Sequence, residues 1–440
     1  HVMDVAKAKG ISGVHIEREY KRYYPAGEVF AHVMGFTDVD DTGQEGLELA
    51  FDQALRGETG AKLVLRDGRR QVVDDVENIR SPRAGNHLAL SIDQRLQFTA
   101  YRELKAAVRR HQAISGSLVL LDVQSGEVLA MVNQPSFNPN GDRSNRAGRL
   151  RNRALTDLFE PGSTLKPFTV AAALDAGTIK ADSLIDTSPG YFRIGRAQVK
   201  DSHNLGLIDV ATVLSKSSNV GAGKIALALD KRDLWRVMDR LGFGRAAGTG
   251  FPGEAAGQLN DFRRWAQIDQ ATLSFGYGIS VSTLQLAQAY AALANDGVMV
   301  PATLLKRDVP VKGERVFSAA TAVAVRRMLE SVATTDGTAP DAAVLGYRVA
   351  GKTGTVKKFG PQGYSDDRYL ALFAGMAPAR HPRFVLAVML NEPQAGKFYG
   401  GQVAGPVFSA VMAEALRLQN VAPDVAIDPS VRVAQGGVPR

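Results

Sequence analysis

No cysteine occurs anywhere in the 440 residues, and that one absence removes disulfide frameworks, thiolate zinc sites, iron–sulfur clusters and a cysteine nucleophile together. Histidine is sparse as well. The seven His are scattered, and there is neither a Gly-x-Ser-x-Gly elbow nor a His-Glu-x-x-His pair, so a Ser-His-Asp hydrolase and a His-based metal site find no support. Long hydrophobic runs are missing too. The longest uncharged stretch, Gln270 to Asn295, is broken by Gly, Ser, Thr and Gln and does not read as a lipid-spanning helix. The chain opens on His1, inside what reads as folded sequence, which leads us to expect a fragment with any signal or anchor removed ahead of it.

What is present describes a globular multidomain protein. Hydrophobic residues make up 45% and charged residues 22%, too apolar for a disordered chain, and the length leaves room for more than one core. The 53 basic against 45 acidic residues give a formal net charge of +8. Basic residues cluster at Arg143, Arg146, Arg149, Arg151 and Arg153, but no aromatics are interleaved to stack bases, so a nucleic-acid partner is not expected.

Residues 1–85 are Gly-rich, charged and irregular, with β-like runs such as Ala61 to Leu65, and read as a β-rich accessory module. The turn cluster Ser81-Pro82-Arg83-Ala84-Gly85-Asn86 marks a boundary, after which residues 86–420 form the main domain and 421–440 a loose tail. Leu96 to His111 has helical spacing, and Ser117 to Val123 with Glu127 to Asn133 reads as a hairpin. Tyr347 to Val356, Tyr369 to Met376 and Phe384 to Leu390 read as strands, and Phe408 to Leu418 as a closing helix. Helical segments fill the middle, so the expected architecture is α+β: one sheet built from both chain ends with a helical block inserted between them.

Gly346-Tyr347-Arg348-Val349-Ala350-Gly351-Lys352-Thr353 satisfies the Walker A expression letter for letter. Its β-prone middle and the following Gly354-Thr355-Val356 cannot give the curled loop and immediate helix that phosphate binding needs. Gly242-Phe243-Gly244 with Gly248 follows a predicted helix and reads as a helix end, not a dinucleotide fingerprint.

Ser163-Thr164-Leu165-Lys166 is a weak pattern alone, but its setting is informative. Pro161-Gly162 ends a loop and an apolar run to Ala176 begins a helix, so Ser163 is placed where unpaired N–H groups favour developing negative charge. A serine hydroxyl needs a base, and Lys166 returns to the same helix face three residues on. Lysine serves only if burial or a neighbouring positive charge lowers its pKa. Lys352, in Lys352-Thr353-Gly354-Thr355 on a predicted strand, could supply that charge, and Gly354 would let a ligand backbone approach closely. Ser-x-Asn occurs three times, at Ser136, Ser202 and Ser217. The first two read as turns; Ser217-Ser218-Asn219 interrupts an apolar helical stretch where polar side chains need a reason to be, and we favour it.

Ser-x-x-Lys, Ser-x-Asn and Lys-Thr-Gly in that order are the set found in penicillin-binding proteins and class A β-lactamases. From about Arg22 to Asn420 the chain resembles the class B penicillin-binding proteins, and among them the division-specific type. The likeness includes Arg22-Tyr23-Tyr24-Pro25-Ala26-Gly27, His32, Gly35-Phe36 and Gly43-Gln44-Glu45-Gly46-Leu47-Glu48 in a pedestal region, then Phe398-Tyr399-Gly400-Gly401 and Pro406-Val407-Phe408. The resemblance implies a penicillin-binding transpeptidase fold behind a truncated β-rich pedestal, and a D,D-transpeptidase that cross-links peptidoglycan stem peptides at the septum. It implies Ser163 as acylated nucleophile, Lys166 as its base, and Ser217 and Asn219 as proton relay and substrate holder. Lys352, Thr353, Gly354 and Thr355 would line the substrate strand, with Tyr364, Phe398 and Tyr399 at the pocket. No cofactor or metal is implied. β-Lactams would acylate Ser163, and a membrane glycosyltransferase with other division proteins would be partners, on an inner-membrane anchor with the catalytic domain in the periplasm. The alternatives are a carboxypeptidase or β-lactamase-type hydrolase and a noncatalytic β-lactam sensor. The Glu-x-x-Leu-Asn pattern that supplies a deacylating base in class A β-lactamases is absent, which favours transfer over hydrolysis.

Overall fold

The computed structural model describes residues 22–69, 72–141, 148–360 and 363–426, so Arg143 and Arg146 of the basic cluster lie outside it. The accessory segment mixes strands with short helical turns, and the β-like run from Ala61 to Leu65 is a strand. Short helical turns at Ala31–Met34, Gly46–Ala50 and Asp52–Leu55, with a short antiparallel pair of Phe36–Thr37 and Gly43–Glu45 among them, precede an exposed ribbon of β1 (Ala61–Arg66) and β2 (Val72–Arg80). Its first part is tied to the main body: Asn140 accepts from the Tyr24 N–H at 2.9 Å and donates back to the Tyr24 carbonyl at 2.8 Å, and Gln97 donates to the Val29 carbonyl at 2.9 Å.

The main body starts with α1 (Gln94–Arg110), whose first N–H groups, Arg95 and Leu96, are capped by the Asp93 carboxylate. Its buried stripe of Leu96, Ala100, Leu104 and Ala107 follows the helical period. β3 (Ser115–Asp122) and β4 (Val128–Gln134) follow, both buried along their whole length. The inserted block comprises α2 (Lys166–Asp175), a hairpin of β5 (Tyr191–Ile194) and β6 (Ala197–Lys200), α3 (Val210–Ser215), α4 (Asn219–Ala228), α5 (Thr283–Ala294) and α6 (Ala319–Glu330). The chain then returns to the sheet through β7 (Ala350–Gly360), β8 (Gly363–Ala377) and β9 (Phe384–Asn391), and α7 (Gly405–Leu418) closes it.

The sheet runs β7–β8–β9–β3–β4, every pair antiparallel, so both chain ends build it as expected. Alternation along β3 separates the two faces. A Cβ on Gly116 would meet Leu104 of α1 at 3.0 Å, whereas the neighbouring Ser117 hydroxyl bonds that of Thr283 of α5 at 2.7 Å. α1 and α7 therefore cover one face and α5 the other. α5 is buried over all of its residues, and its polar Gln285 is satisfied there by donating to the Arg245 and Ala256 carbonyls at 2.7 and 2.8 Å.

Three details differ from the sequence reading. β7 begins at Ala350, not Tyr347, because the Tyr347 hydroxyl donates to the Val421 carbonyl at 2.6 Å and Arg348 donates to Asp424, which pulls both residues out of the ladder. The same bonds hold Val421 and Asp424 against the body. Ser217-Ser218-Asn219 does not interrupt a helix but separates two, with Ser218 capping α4. A further short helix, Gln267–Leu273, lies in a polar stretch that gave no apolar period. Gly351, Lys352 and Thr353 lie within β7, which disposes of a phosphate loop, and Gly242 and Gly244 end the helix Lys231–Arg240 with positive φ. No helix among the described residues is long and apolar enough to cross a membrane.

Candidate active site

The turn that carries Ser163 is held from below. Gly162–Leu165 form a 3₁₀ turn that runs into α2 at Lys166, and Ser163 is its half-buried member. The Gly162 N–H donates to the Gly276 carbonyl at 3.1 Å. Gly276 sits at φ +84°, and a Cβ there would lie 2.1 Å from the Gly162 carbonyl oxygen, so only glycine fits. The buried Tyr290 of α5 donates to the Thr164 carbonyl at 2.8 Å and meets Phe168 edge-on at 5.2 Å. Helix α5 thus ties the turn to the sheet.

Lys166 is 0% exposed, and its ammonium hydrogens are directed at the turn between α3 and α4. Nζ donates to Asn219 Oδ1 at 2.8 Å, to Ser217 Oγ at 3.1 Å and to the Ser217 carbonyl. Ser217 holds φ at +59°, a left-handed conformation uncommon for a residue with a side chain, which lets its hydroxyl and carbonyl serve one amine. Burial drives the Lys166 amine well below the usual lysine range; the Lys352 ammonium pushes the same way and Asp201 opposes both.

Lys352 is also 0% exposed, and burial lowers it to about 7. Its Nζ donates within its own strand, to Thr353 Oγ1 at 3.3 Å. On β7, Lys352, Gly354 and Val356 share one face and Thr353 and Thr355 the other. The first face meets the nucleophile turn: a Cβ on Gly354 would sit 3.1 Å from the Pro161 carbonyl oxygen, and one on Gly162 2.3 Å from Val356 Cγ2. Thr353 Oγ1 pairs with Thr338 Oγ1 at 3.1 Å, and Thr355 Oγ1 accepts from the Gly400 N–H at 3.0 Å. β7 is an edge strand, so half of its backbone N–H and C=O groups face out of the sheet.

The three aromatics separate into two groups. Tyr364 donates to both Glu160 carboxylate oxygens at 3.0 Å and packs edge-on against Tyr277 at 5.3 Å. Phe398 stacks on Tyr369 at 4.4 Å with Tyr399 beside it, next to Gly400 and hence to Thr355. The other Ser-x-Asn copies stand elsewhere: Ser136 donates to the Glu28 carbonyl at 2.7 Å, and Asn204 closes a turn on the Gly206 N–H at 3.0 Å. The structure therefore brings together Ser163, Lys166, Ser217, Asn219 and Lys352 from three separate stretches of chain.

The penicillin binding protein transpeptidase domain matches residues 116–413, more than half of the chain. The chain belongs to the penicillin-binding transpeptidase family. A penicillin-binding protein dimerisation domain matches residues 3–90 ahead of it, which is the class B arrangement. Among relatives, the Escherichia coli K12 peptidoglycan D,D-transpeptidase FtsI is 47% identical over 96% of this chain and 71% of its own length. The probable peptidoglycan D,D-transpeptidase PenA of Neisseria meningitidis serogroup A is 44% identical over 96% of this chain and 73% of its own. The apo transpeptidase domain of Burkholderia pseudomallei penicillin-binding protein 3 superimposes with a TM-score of 0.71 at 46% identity, covering 77% of this chain and 98% of that one. This penicillin-binding protein is accordingly a class B member of the septal type.

Sequence reasoning missed several residues that the penicillin-binding site depends on. Gly276 and Tyr290 support the nucleophile turn, Glu160 anchors Tyr364, and Asp201 binds the turn at Ser218 and Asn219. Only Glu160 carried a signal, its place three residues before Ser163.

Proposed function

We propose that this penicillin-binding protein cross-links peptidoglycan stem peptides in septal wall synthesis as a D,D-transpeptidase, through an acyl-enzyme on Ser163. The observation that carries the reading is a buried, pKa-depressed Lys166 one helical turn from Ser163 and bonded to both Ser217 and Asn219. Neutral Lys166 takes the hydroxyl proton as Ser163 Oγ bonds to the penultimate D-Ala carbonyl carbon. The resulting oxyanion is met by the backbone N–H groups of Ser163 and Thr355, a contribution of about 3 kcal/mol per donor. As the tetrahedral species collapses, the C–N bond to the terminal D-Ala breaks, and its nitrogen recovers a proton through Lys166 and Ser217. An acceptor amine then attacks the ester, loses its proton by the reverse relay, and restores the Ser163 hydroxyl.

The stem peptide would lie along the open edge of β7, its backbone beside Gly354 and Thr353. Lys352 and Thr355 would hold its terminal carboxylate and Asn219 its amide, with Tyr364, Phe398 and Tyr399 around the side chains. β-Lactams would enter as mimics of D-Ala-D-Ala. We further infer a division into residues 1–85 as pedestal, 86–420 as transpeptidase domain and 421–440 as tail. We place catalysis on the periplasmic side of the inner membrane, with a single-pass membrane anchor for the protein and a membrane glycosyltransferase among its division partners. The deciding experiment is labelling with fluorescent penicillin followed by peptide mass analysis. A covalent adduct on Ser163, lost in Ser163→Ala, is the expected result; a wild-type protein that forms no adduct overturns the catalytic reading.

A further inference from the structure

Asp201 stands just past β6, where its N–H donates to the Gly190 carbonyl at 2.9 Å. Both of its carboxylate oxygens are engaged by the turn that serves Lys166. Oδ2 accepts from the Ser218 hydroxyl at 2.5 Å, while Oδ1 accepts from the N–H groups of Asn219 at 2.5 Å and Val220 at 3.1 Å. Ser218 Oγ in turn accepts from the Gly221 N–H at 2.8 Å. A carboxylate from a separate hairpin thus caps the first turn of α4, where the helix carries its positive end. The hairpin is seated on the same helix: the Lys200 carbonyl accepts from Asn219 Nδ2 at 3.3 Å, and a Cβ on Gly223 would lie 2.9 Å from Phe192 Cζ.

These bonds brace the left-handed Ser217, which would otherwise relax toward the ordinary backbone regions and carry its hydroxyl and carbonyl away from Lys166. The charged groups that act on Lys166 come from two directions, Lys352 on β7 and Asp201 beyond β6, whereas Ser217 and Asn219 are neutral. We propose that Asp201 is a positioning residue for acylation: it fixes the Ser217–Asn219 turn against Lys166 and balances Lys352 electrostatically. The inference rests on the reading of Ser163 as nucleophile and Lys166 as its base. Asp201 raises the Lys166 pKa against burial and Lys352, so removing its charge must move the acid limb of the acylation profile to lower pH.

The test is the second-order rate of Ser163 acylation by a fluorescent penicillin across pH, for wild type, Asp201→Asn, Asp201→Glu and Ser218→Ala. Asp201→Asn is expected to lower the plateau roughly tenfold or more, the scale of one misaligned contact in the transition state, and to shift the acid limb to lower pH. Ser218→Ala, which keeps the carboxylate, should lower the plateau with the limb unmoved. Asp201→Glu keeps the charge but displaces the cap, so its limb should stay and its plateau fall; this variant carries the test should Asp201→Asn fail to fold, and a wild-type plateau there overturns the proposal. A lowered plateau without a shifted limb in Asp201→Asn, or no change at all, also overturns it. Absence of a wild-type adduct would instead sink the acyl-enzyme reading beneath it.

Discussion

Lys166 Nζ lies 2.8 Å from Asn219 Oδ1, a bond between residues 53 positions apart in the chain. It closes a ring of acceptors around an amine with no access to water, and those acceptors replace a hydration shell whose loss costs several kcal/mol per buried ion. A second lysine, Lys352, is buried on the strand opposite. Two amines buried without solvent, each driven toward its neutral form, are a poor arrangement for stability, and such arrangements persist where chemistry requires them.

Removing the base is the most direct probe of that arrangement. Lys166→Ala should lower the acylation rate by about 10²–10⁴-fold, the usual contribution of general acid–base catalysis, while the melting temperature stays at or above that of wild type. Rapid-mixing kinetics with fluorescent penicillin check the first and calorimetry the second. A rate near that of wild type would assign the proton to another group.

Lys352 makes a separate prediction about pH. Its folded pKa of about 7 lies below its ordinary value of 10.5, so the unfolded chain binds more protons between those limits. Its contribution to stability therefore rises with pH from about 7 to 10.5 and carries its full penalty below 7. Lys352→Met should remove that penalty and stabilise the protein by roughly 1–3 kcal/mol below pH 7, the scale seen when buried charges give way to apolar side chains. Without the Lys352 charge, Lys166 is less depressed, so the acid limb of acylation should move to higher pH. Thermal melts across pH and the acylation profile check both parts.

The sheet and its two covering layers were legible because β3, β9 and the Tyr369–Met376 part of β8 are apolar runs and α5 is rich in Leu and Ala, signals that owe nothing to distant partners, whereas the charged start of β8 at Gly363–Arg368 gave no strand signal. The motif triad was legible because each member has a local setting: Ser163 after Pro161-Gly162, Lys352 within a β-prone run. The supports were not. Asp201 follows a short half-exposed hairpin, and Gly276 stands in an ordinary loop; their roles exist only because the chain brings α4 and the Gly162 turn against them. In the accessory segment the run at Ala61 was legible as a strand, whereas short helical turns such as Ala31–Met34, which packs on β4, are too brief to show a period in the sequence.

Gly276 offers a test of whether the nucleophile turn is positioned from that side. Gly276→Ala puts a methyl 2.1 Å from the Gly162 carbonyl oxygen and adds the strain of a positive φ, so the turn must move. We expect destabilisation of about 1–3 kcal/mol together with acylation slowed more than the loss of folded protein explains. Active-site titration of the folded fraction separates the two, and full acylation kinetics in that fraction would refute the positioning role.

The fate of the acyl-enzyme distinguishes transfer from hydrolysis. Water attacks an ester slowly unless a base activates it, and two carboxylates are near enough in sequence or contact to be considered. Asp201 is committed to α4 through Ser218, Asn219 and Val220. Glu160, three residues before Ser163, is bonded to the Tyr364 hydroxyl and to the Gly278 N–H at 2.9 Å, and these bonds, which occupy its carboxylate, weaken its claim to be a free base near Ser163. The penicilloyl adduct should therefore persist for minutes or longer in mass-spectrometric chase, with the same lifetime in Glu160→Gln, and an added acceptor amine should shorten it. Clearance within seconds that depends on Glu160 would make this a hydrolase instead.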